Sequence, residues 1–331
     1  MQIKEVYKNI YQATFPLTGN PLKSINIFTI KDGDGGLIVD TGFNNPENRA
    51  NMKEMIESLG LDIKKTRLFL THLHSDHVGL AKRLEEEGIG EILLSKVDGH
   101  IVENGISKDD FQWQNIIKNA KFQGLFIEEE LDIEDHPGYK NRPKEVFSYT
   151  KIGPGKEIKV GDYKFVTIDE AGHTPGMLGL YEKDHKILFC GDHILGKITP
   201  NITYWGDEFG DSLGIYLKNL EKIKDLDIIH LFSSHRYLID DTNKRIEELK
   251  AHHQARLEDT LEIIKKLGKA NTTEVTRLMQ WDIRAKNWQD FPSSQKWFAV
   301  AEAAAHIKHL LAKGQVKEEI KNGIGYYSLN S

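Results

Sequence analysis

Four side chains that can bind a metal crowd one short stretch: His72-x-His74-x-Asp76-His77. Neutral imidazole and carboxylate are the nitrogen and oxygen donors that zinc accepts. The stretch follows the short apolar run Arg67–Leu70, so a strand end is expected to present it. His72 and His74 can face one point, and the adjacent Asp76 and His77 another. One segment can therefore feed two metals, with at most two ligands for each.

The missing ligands have three candidates further along. Ala171-Gly172-His173-Thr174-Pro175-Gly176 places a histidine in a turn fixed by glycine and proline. Gly191-Asp192 places a carboxylate after the apolar run Ile187–Cys190, and Ser233-Ser234-His235 places a histidine after Ile228–Phe232. All three follow strand-like segments and could converge at one edge of a sheet system.

This ordered set, HxHxDH, then GHTPG, then GD, then a histidine after a last strand, resembles the metallo-β-lactamase superfamily. The resemblance covers roughly residues 5–240 and looks closest to the glyoxalase II-like and β-lactamase-like hydrolases. It implies that His72, His74 and His173 hold one metal, that Asp76, His77 and His235 hold the other, and that Asp192 bridges them. Asp40-Thr41-Gly42 resembles the family's early aspartate turn, which implies that Asp40 supports the site without touching metal. Two metals about 3.5–4 Å apart can share a hydroxide and polarise a substrate oxygen. The implied activity is hydrolysis of an ester, thioester or related acyl bond by that bridging hydroxide, with Asp76 orienting it or taking a proton. Zinc is the chemically preferred ion for a nitrogen-rich set, with manganese or iron able to use the same ligands. His74 stands where oxygen-reducing diiron relatives carry a carboxylate, which favours hydrolysis. SSHR replaces the GHG-like turn of many relatives around His235.

The elements that must position these residues read as follows. Ile27–Ile30 and Leu37–Asp40 flank a Gly/Asp turn and predict a hairpin. Met52, Met55, Ile56 and Leu59 repeat at helical spacing, and Gly60 is a stop. A helix is expected from the second half of THLHSDHVGL to about Glu87, then a strand at 91–95. Residues 96–150 are polar and aromatic-rich and read as an insertion, with a helix at Phe111–Phe122 and a loop over DIEDHPGYKNRP. Strands return after Gly153, followed by a helix at 211–225. The expectation is an α/β chain with an αββα sandwich, two sheets flanked by helices, over residues 1–241.

From Thr242 on, three helices (243–267, 273–280, 296–313) and a terminal hairpin across an Asn-Gly turn predict a winged-helix-like unit at 242–331. Within the resemblance, a stretch such as His252-His253-Gln254-Ala255-Arg256 opens such C-terminal helices. This segment is mildly basic, so binding to nucleic acid stays open; its alanine-rich helix FAVAEAAAHIKHLLAKG is more easily buried than laid in a groove.

Bulk properties bound the rest. A net charge of −6 over 331 residues argues against a globally basic nucleic-acid or membrane binder. The single cysteine, Cys190, fits a reducing compartment and a place in the core. No apolar stretch is long enough to span a membrane and MQIKEVYKNI is no secretory signal, so a cytoplasmic protein acting on a small molecule is expected. Two other readings remain: a phosphodiesterase for single-stranded nucleic acid, and a nucleic-acid-binding regulator. The sequence leaves the oligomeric state open.

Overall fold

The computed structural model describes residues 2–330. Seven strands form the first sheet in chain order: β1 Ile3–Tyr7, β2 Ile10–Pro16, β3 Ser24–Asp32, β4 Gly35–Val39, β5 Thr66–Phe69, β6 Glu91–Ser95 and β7 Thr150–Ile152. It is antiparallel from β1 to β4 and parallel from β4 to β7. Five strands form the second sheet: β8 Glu157–Val160, β9 Tyr163–Asp169, β10 Leu178–Glu182, β11 Ile187–Gly191 and β12 His230–Ser233. β8 to β11 form an antiparallel meander, and β12 joins β11 in parallel.

The two sheets face each other across one apolar layer that includes Phe28, Phe69, Phe165, Phe189 and Phe232. Outside the first sheet, helices α1 Pro46–Ser58, α2 Ser75–Val78 and α3 Ala81–Glu86 cover a second layer with Met52, Met55, Val78 and Leu84. Strands buried on both faces read as apolar runs rather than alternations, as β4 does with every residue buried. The expected αββα sandwich is the architecture found. Gly36 has a structural reason, since a Cβ there would meet the Ile30 carbonyl oxygen at 2.3 Å.

Two local expectations are corrected. One helix was expected through the end of HLHSDHVGL to Glu87; the chain instead breaks between α2 and α3. At the break, a Cβ on Gly79 would meet the Gly42 carbonyl oxygen at 2.5 Å, so the segment is pressed against the turn after β4. The stretch expected to be a loop holds a 3-10 turn at Ile133–Asp135 and a short helix Pro137–Asn141. Proline suits the first helical position, and the His136 side chain caps the turn by accepting from the Gly138 N–H. The insertion also contains α4 Lys96–Glu103 and α5 Phe111–Phe122; the Pro137–Asn141 helix is α6.

After α7 Ser212–Lys224 come α8 Thr242–Leu267, β13 Ala270–Asn271, α9 Thr272–Leu278, α10 Ser293–Ala312, β14 Val316–Lys321 and β15 Ile324–Leu329. The last strands form a small sheet ordered β13-β15-β14. The β14–β15 turn uses Asn322 and Gly323, both at positive φ as a tight hairpin turn requires. Asp241 caps α8 by accepting from the Lys244 N–H. One apolar cluster runs without a break from Leu188, Cys190 and Tyr216 to Ile246, Leu249, Ala303 and Ile307. Among the described residues, no helix is long and apolar enough to cross a membrane.

Candidate metal centre

The chemistry-bearing turns all follow strands, and the strands bring them to one edge of the sandwich. Asp40 follows β4, His72 to His77 follow β5, His173 follows β9, Asp192 follows β11 and His235 follows β12. Across the sandwich, the Asn26 N–H on β3 donates to the Ser234 carbonyl at 2.7 Å. The two sheets are thereby tied together beside the last histidine.

His72, His74 and His173 form one cluster, and Asp76, His77 and His235 form a second; within each, the candidate donor atoms lie within 4.8 Å of one another. Asp192 stands between the clusters. One of its oxygens is 3.2 Å from His235 Nε2 and 3.6 Å from His77 Nε2. The other is 3.7 Å from His173 Nε2. All seven residues expected from the sequence meet here.

In the first cluster, His74 Nδ1 lies 3.0 Å from both His72 Nε2 and His173 Nε2. Nitrogens at about 2.0–2.1 Å from a tetrahedral zinc are separated by about 3.3 Å, so these spacings suit one shared cation. Proton placement points the same way. His173 Nδ1 donates to the Asn201 carbonyl at 2.8 Å, which leaves its Nε2 as a lone pair. Thr71 Oγ1 gives its proton to the Asp40 carboxylate at 2.9 Å and so accepts from His72 Nδ1 at 3.0 Å, leaving that Nε2 bare as well. Two lone pairs therefore converge on the third nitrogen, and one proton cannot satisfy both.

The second cluster carries the other sign of mismatch. His77 Nε2, His235 Nε2 and Asp192 Oδ1 are buried and lie within ion-pair distance, yet none of them makes an aligned hydrogen bond. Buried polar atoms without hydrogen bonds are rare and costly, and three such atoms facing one point suit a bound ion. His235 is oriented by Nδ1 donating to the Ser24 carbonyl at 2.7 Å. His77 is oriented by Asp40, whose Oδ2 is 2.8 Å from Nδ1. Asp40 sits at φ 64°, a left-handed conformation that aspartate tolerates better than most residues. From there it also accepts from the Thr71 N–H at 2.9 Å.

Electrostatics separate the clusters. Burial, then neighbouring imidazoles, push His72 and His74 well below the usual histidine range. Burial also lowers His173. At His77, burial opposes charge, but Asp40, Asp192 and Asp76 outweigh it and hold the ring well above that range. His235 is raised against its burial by Asp192 and Asp76. Asp192 is driven well below the carboxylate range by His235 and His77, which overcome its burial.

Three supports were not visible in the sequence. Thr71 links Asp40 to His72, and Asn201 holds His173. Asp98, fully buried, accepts from the Leu73 N–H at 3.0 Å, from Thr174 Oγ1 at 2.6 Å and from the Gly176 N–H at 2.6 Å. It thus clamps the HxH segment to the GHTPG turn. Its only local signal is Ser95-x-x-Asp98, where Ser95 accepts from the Asp98 N–H as in any helix cap. In the same turn, Gly172 (φ 137°) leaves room for Tyr216, since a Cβ there would meet that side chain at 2.5 Å.

Other histidines stay away from the centre. His193 is buried behind it against Tyr216, with ring centroids 4.9 Å apart. His230 packs on Tyr7, and His100 is exposed. His136 lies against Trp113, Trp297 and Phe298. Trp205 stacks near His74, at 6.3 Å and 27° between planes, and its Nε1 donates to the His173 carbonyl. Cys190 is fully buried in the core, as expected.

Comparison with known proteins agrees with this geometry. The sequence profile of the Metallo-beta-lactamase superfamily matches residues 21–235. The Caenorhabditis elegans beta-lactamase-like protein 2 homolog is 24% identical over 265 residues, covering 79% of this chain and 72% of that protein. Hydroxyacylglutathione hydrolase GloC of Haemophilus influenzae is 30% identical over 139 residues, 42% of this chain and 53% of that enzyme. A solved metallo-beta-lactamase family protein of Thermus thermophilus superposes with a TM-score of 0.80 at 24% identity, over 98% of this chain and 100% of that one. With the matched profile spanning every clustered histidine and aspartate, the chain is a hydrolase-class member of the metallo-beta-lactamase superfamily.

Proposed function

We propose that this protein hydrolyses an ester, thioester or related acyl bond of a small molecule at a centre holding two divalent cations, with zinc the preferred ion. The observation that carries this reading is the pair of ligand clusters joined by one carboxylate, Asp192. His72, His74 and His173 would hold one cation, Asp76, His77 and His235 the other, and Asp192 would touch both. When bound, such a pair supplies water ionised near neutral pH and polarises the substrate oxygen.

The chain's own residues set the conditions for that chemistry. Asp40, Ser24 and Asn201 hold three ligand rings in the orientation that turns Nε2 inward. The Asp76 carboxylate would orient the attacking water and take its proton, a role supported by its position 3.4 Å from His235 Nε2. Trp205, beside His74, supports an apolar wall for the substrate.

We read the segment from Thr242 on as a winged-helix-like unit, supported by its helix-strand-helix-helix-strand-strand order and its β13-β15-β14 sheet. Burial of Ala299, Val300, Ala303 to Ile307 and Leu310 favours packing over insertion of α10 into a nucleic-acid groove.

The test is metal content by mass spectrometry on protein purified without chelators, with hydrolysis of thioesters, lactones and phosphodiesters measured in parallel. Two ions per chain, falling to one in His235→Ala, with acyl substrates turned over, is the expected result. A single ion unchanged in the variant sinks the two-metal reading. Turnover of phosphodiesters alone moves the substrate class to nucleic acid.

A further inference from the structure

The metal-centre reading gives no task to His253 and Arg256, which belong to the His252-His253-x-x-Arg256 stretch, nor to the buried polar residues of α10 that they meet. Their contacts lead back to a ligand. We propose that Glu302 on α10 is a positioning residue for the metal ligand His173, acting through Asn201; this rests on the ligand role proposed above for His173.

The path is continuous. His173 Nδ1 donates to the Asn201 carbonyl at 2.8 Å. The Asn201 side-chain amide donates to Glu302 Oε2 at 2.6 Å. The other Glu302 oxygen is 3.3 Å from Arg256 Nη2. Arg256 is itself fixed, with Nη1 donating to the Gln280 carbonyl at 2.6 Å and the guanidinium 4.2 Å over the Trp281 ring. One turn beyond Glu302, His306 Nδ1 donates to the Glu302 carbonyl at 2.9 Å, and His306 Nε2 lies 3.2 Å from His253 Nδ1. The α8 stretch therefore grips α10 at the turn that carries Glu302.

The need for such a grip follows from the backbone. Asn201 and its neighbours from Pro200 to Gly206 form neither helix nor strand, so no ladder of backbone bonds fixes the carbonyl that orients His173. α10 supplies two fixed points instead: Glu302 on the Asn201 amide, and the Ala301 carbonyl, which accepts from the Tyr204 N–H at 3.0 Å. The same segment returns to the ligand once more through Trp205 Nε1, which donates to the His173 carbonyl at 3.1 Å. Ring and backbone of His173 are thus both held by a loop that the C-terminal helix holds. A carboxylate only 14% exposed is costly unless paired. Arg256 offsets that cost and leaves one oxygen free for the amide. The chain of contacts reaches only the first cluster; His77 and His235 take their orientation from Asp40 and Ser24.

Ordinary helix-to-helix packing would predict a different result, which makes the test selective. The metal-free full-length protein is titrated with Co(II), with visible absorption reporting geometry at each cluster, and thermal unfolding of the metal-free protein is recorded alongside. Glu302→Ala is expected to weaken cobalt binding at the cluster of His72, His74 and His173 by about tenfold, in the range seen when outer partners of metal ligands are removed, and to leave the other cluster unchanged. Glu302→Gln keeps an oxygen for the Asn201 amide and is expected to restore binding. Asn201→Ala should reproduce the loss, and the double variant should add nothing to it. Equal weakening at both clusters in step with a lower melting temperature, or additive losses in the double variant, overturns the proposal. His173→Ala separates the levels. If it loses one cobalt while Glu302→Ala binds as wild type, the positioning role is wrong and the ligand reading stands. If His173→Ala keeps both, the ligand reading falls and the proposal with it.

Discussion

Asp40 Oδ2 lies 2.8 Å from Nδ1 of His77, so the other ring nitrogen of His77 faces the centre with its orientation fixed. The aspartate does this from a left-handed backbone, while its other carboxylate oxygen accepts from the Thr71 N–H. Asp40→Asn keeps the shape and the tolerated conformation but removes the charge. It is expected to weaken the cation at Asp76, His77 and His235 by about 10–100-fold, the range for lost outer partners. Competition against a chromogenic chelator checks this; the cluster of His72, which Asp40 reaches only through Thr71, is expected to weaken less, and equal loss at both clusters would contradict the direct hold of Asp40 on His77 as the larger effect.

Asp192 predicts a contrast between variants. Its oxygens face both clusters, whereas His235 faces one. Asp192→Ala should therefore lower the occupancy of both ions and abolish turnover, while His235→Ala should lose one ion. Metal content per chain, measured on both variants after the same dialysis, distinguishes them; identical losses would remove Asp192 from its place between the clusters.

The unbroken apolar cluster from Leu188 and Tyr216 to Ile246 and Ala303 bears on truncation. Cutting after Asp241 keeps every proposed ligand but strips the cover from Cys190, Ile194 and Leu213, all fully buried. Exposed patches of that kind drive association. The shortened chain is expected to aggregate or to melt without a sharp transition, seen by light scattering and calorimetry. A soluble, cooperative fragment with full metal content would show that the helices are an appendage.

Buried neutral histidines predict acid sensitivity. Burial, helped by Arg256, His252 and His309, lowers His306 from 6.5 to about 4. Between those values the folded protein holds fewer protons than the unfolded chain, so this contribution is whole above pH 6.5 and is lost as pH falls toward 4. Its size is up to about 3 kcal/mol. His77 and His235 run the opposite way in metal-free protein, since their values are raised. The comparison of wild type with His306→Gln isolates the one group. Urea unfolding at pH 7 and pH 4.5 should show the gap between them narrowing in acid; a constant gap refutes it.

The histidines and aspartates that cluster were legible in the sequence as candidate ligands because each stands in a short motif at a strand end. The long helices and most of the central strands were legible from their apolar periods, to within a few residues, whereas β1, β2 and β7 were not individually assigned. What could not be read acts through contacts between distant segments. Asp98 looks like the third residue of an ordinary helix cap, yet it joins Leu73 to Thr174 and Gly176. Asn201 works through its backbone carbonyl, which every residue has. The break between α2 and α3 depends on the turn at Gly42, far away in the chain.

The bond from Asn26 to Ser234 has a further consequence, for the order in which the protein is made. It joins the ends of a loop of some two hundred residues, and contacts of such separation close late. The histidine that this tie positions is supplied by the last strand of the second sheet. A chain emerging during synthesis therefore exposes His72 to His77 long before their partners exist. On the proposed two-cation reading, uptake at both clusters would report that the whole sandwich has closed, and would stabilise only the chains that have finished folding.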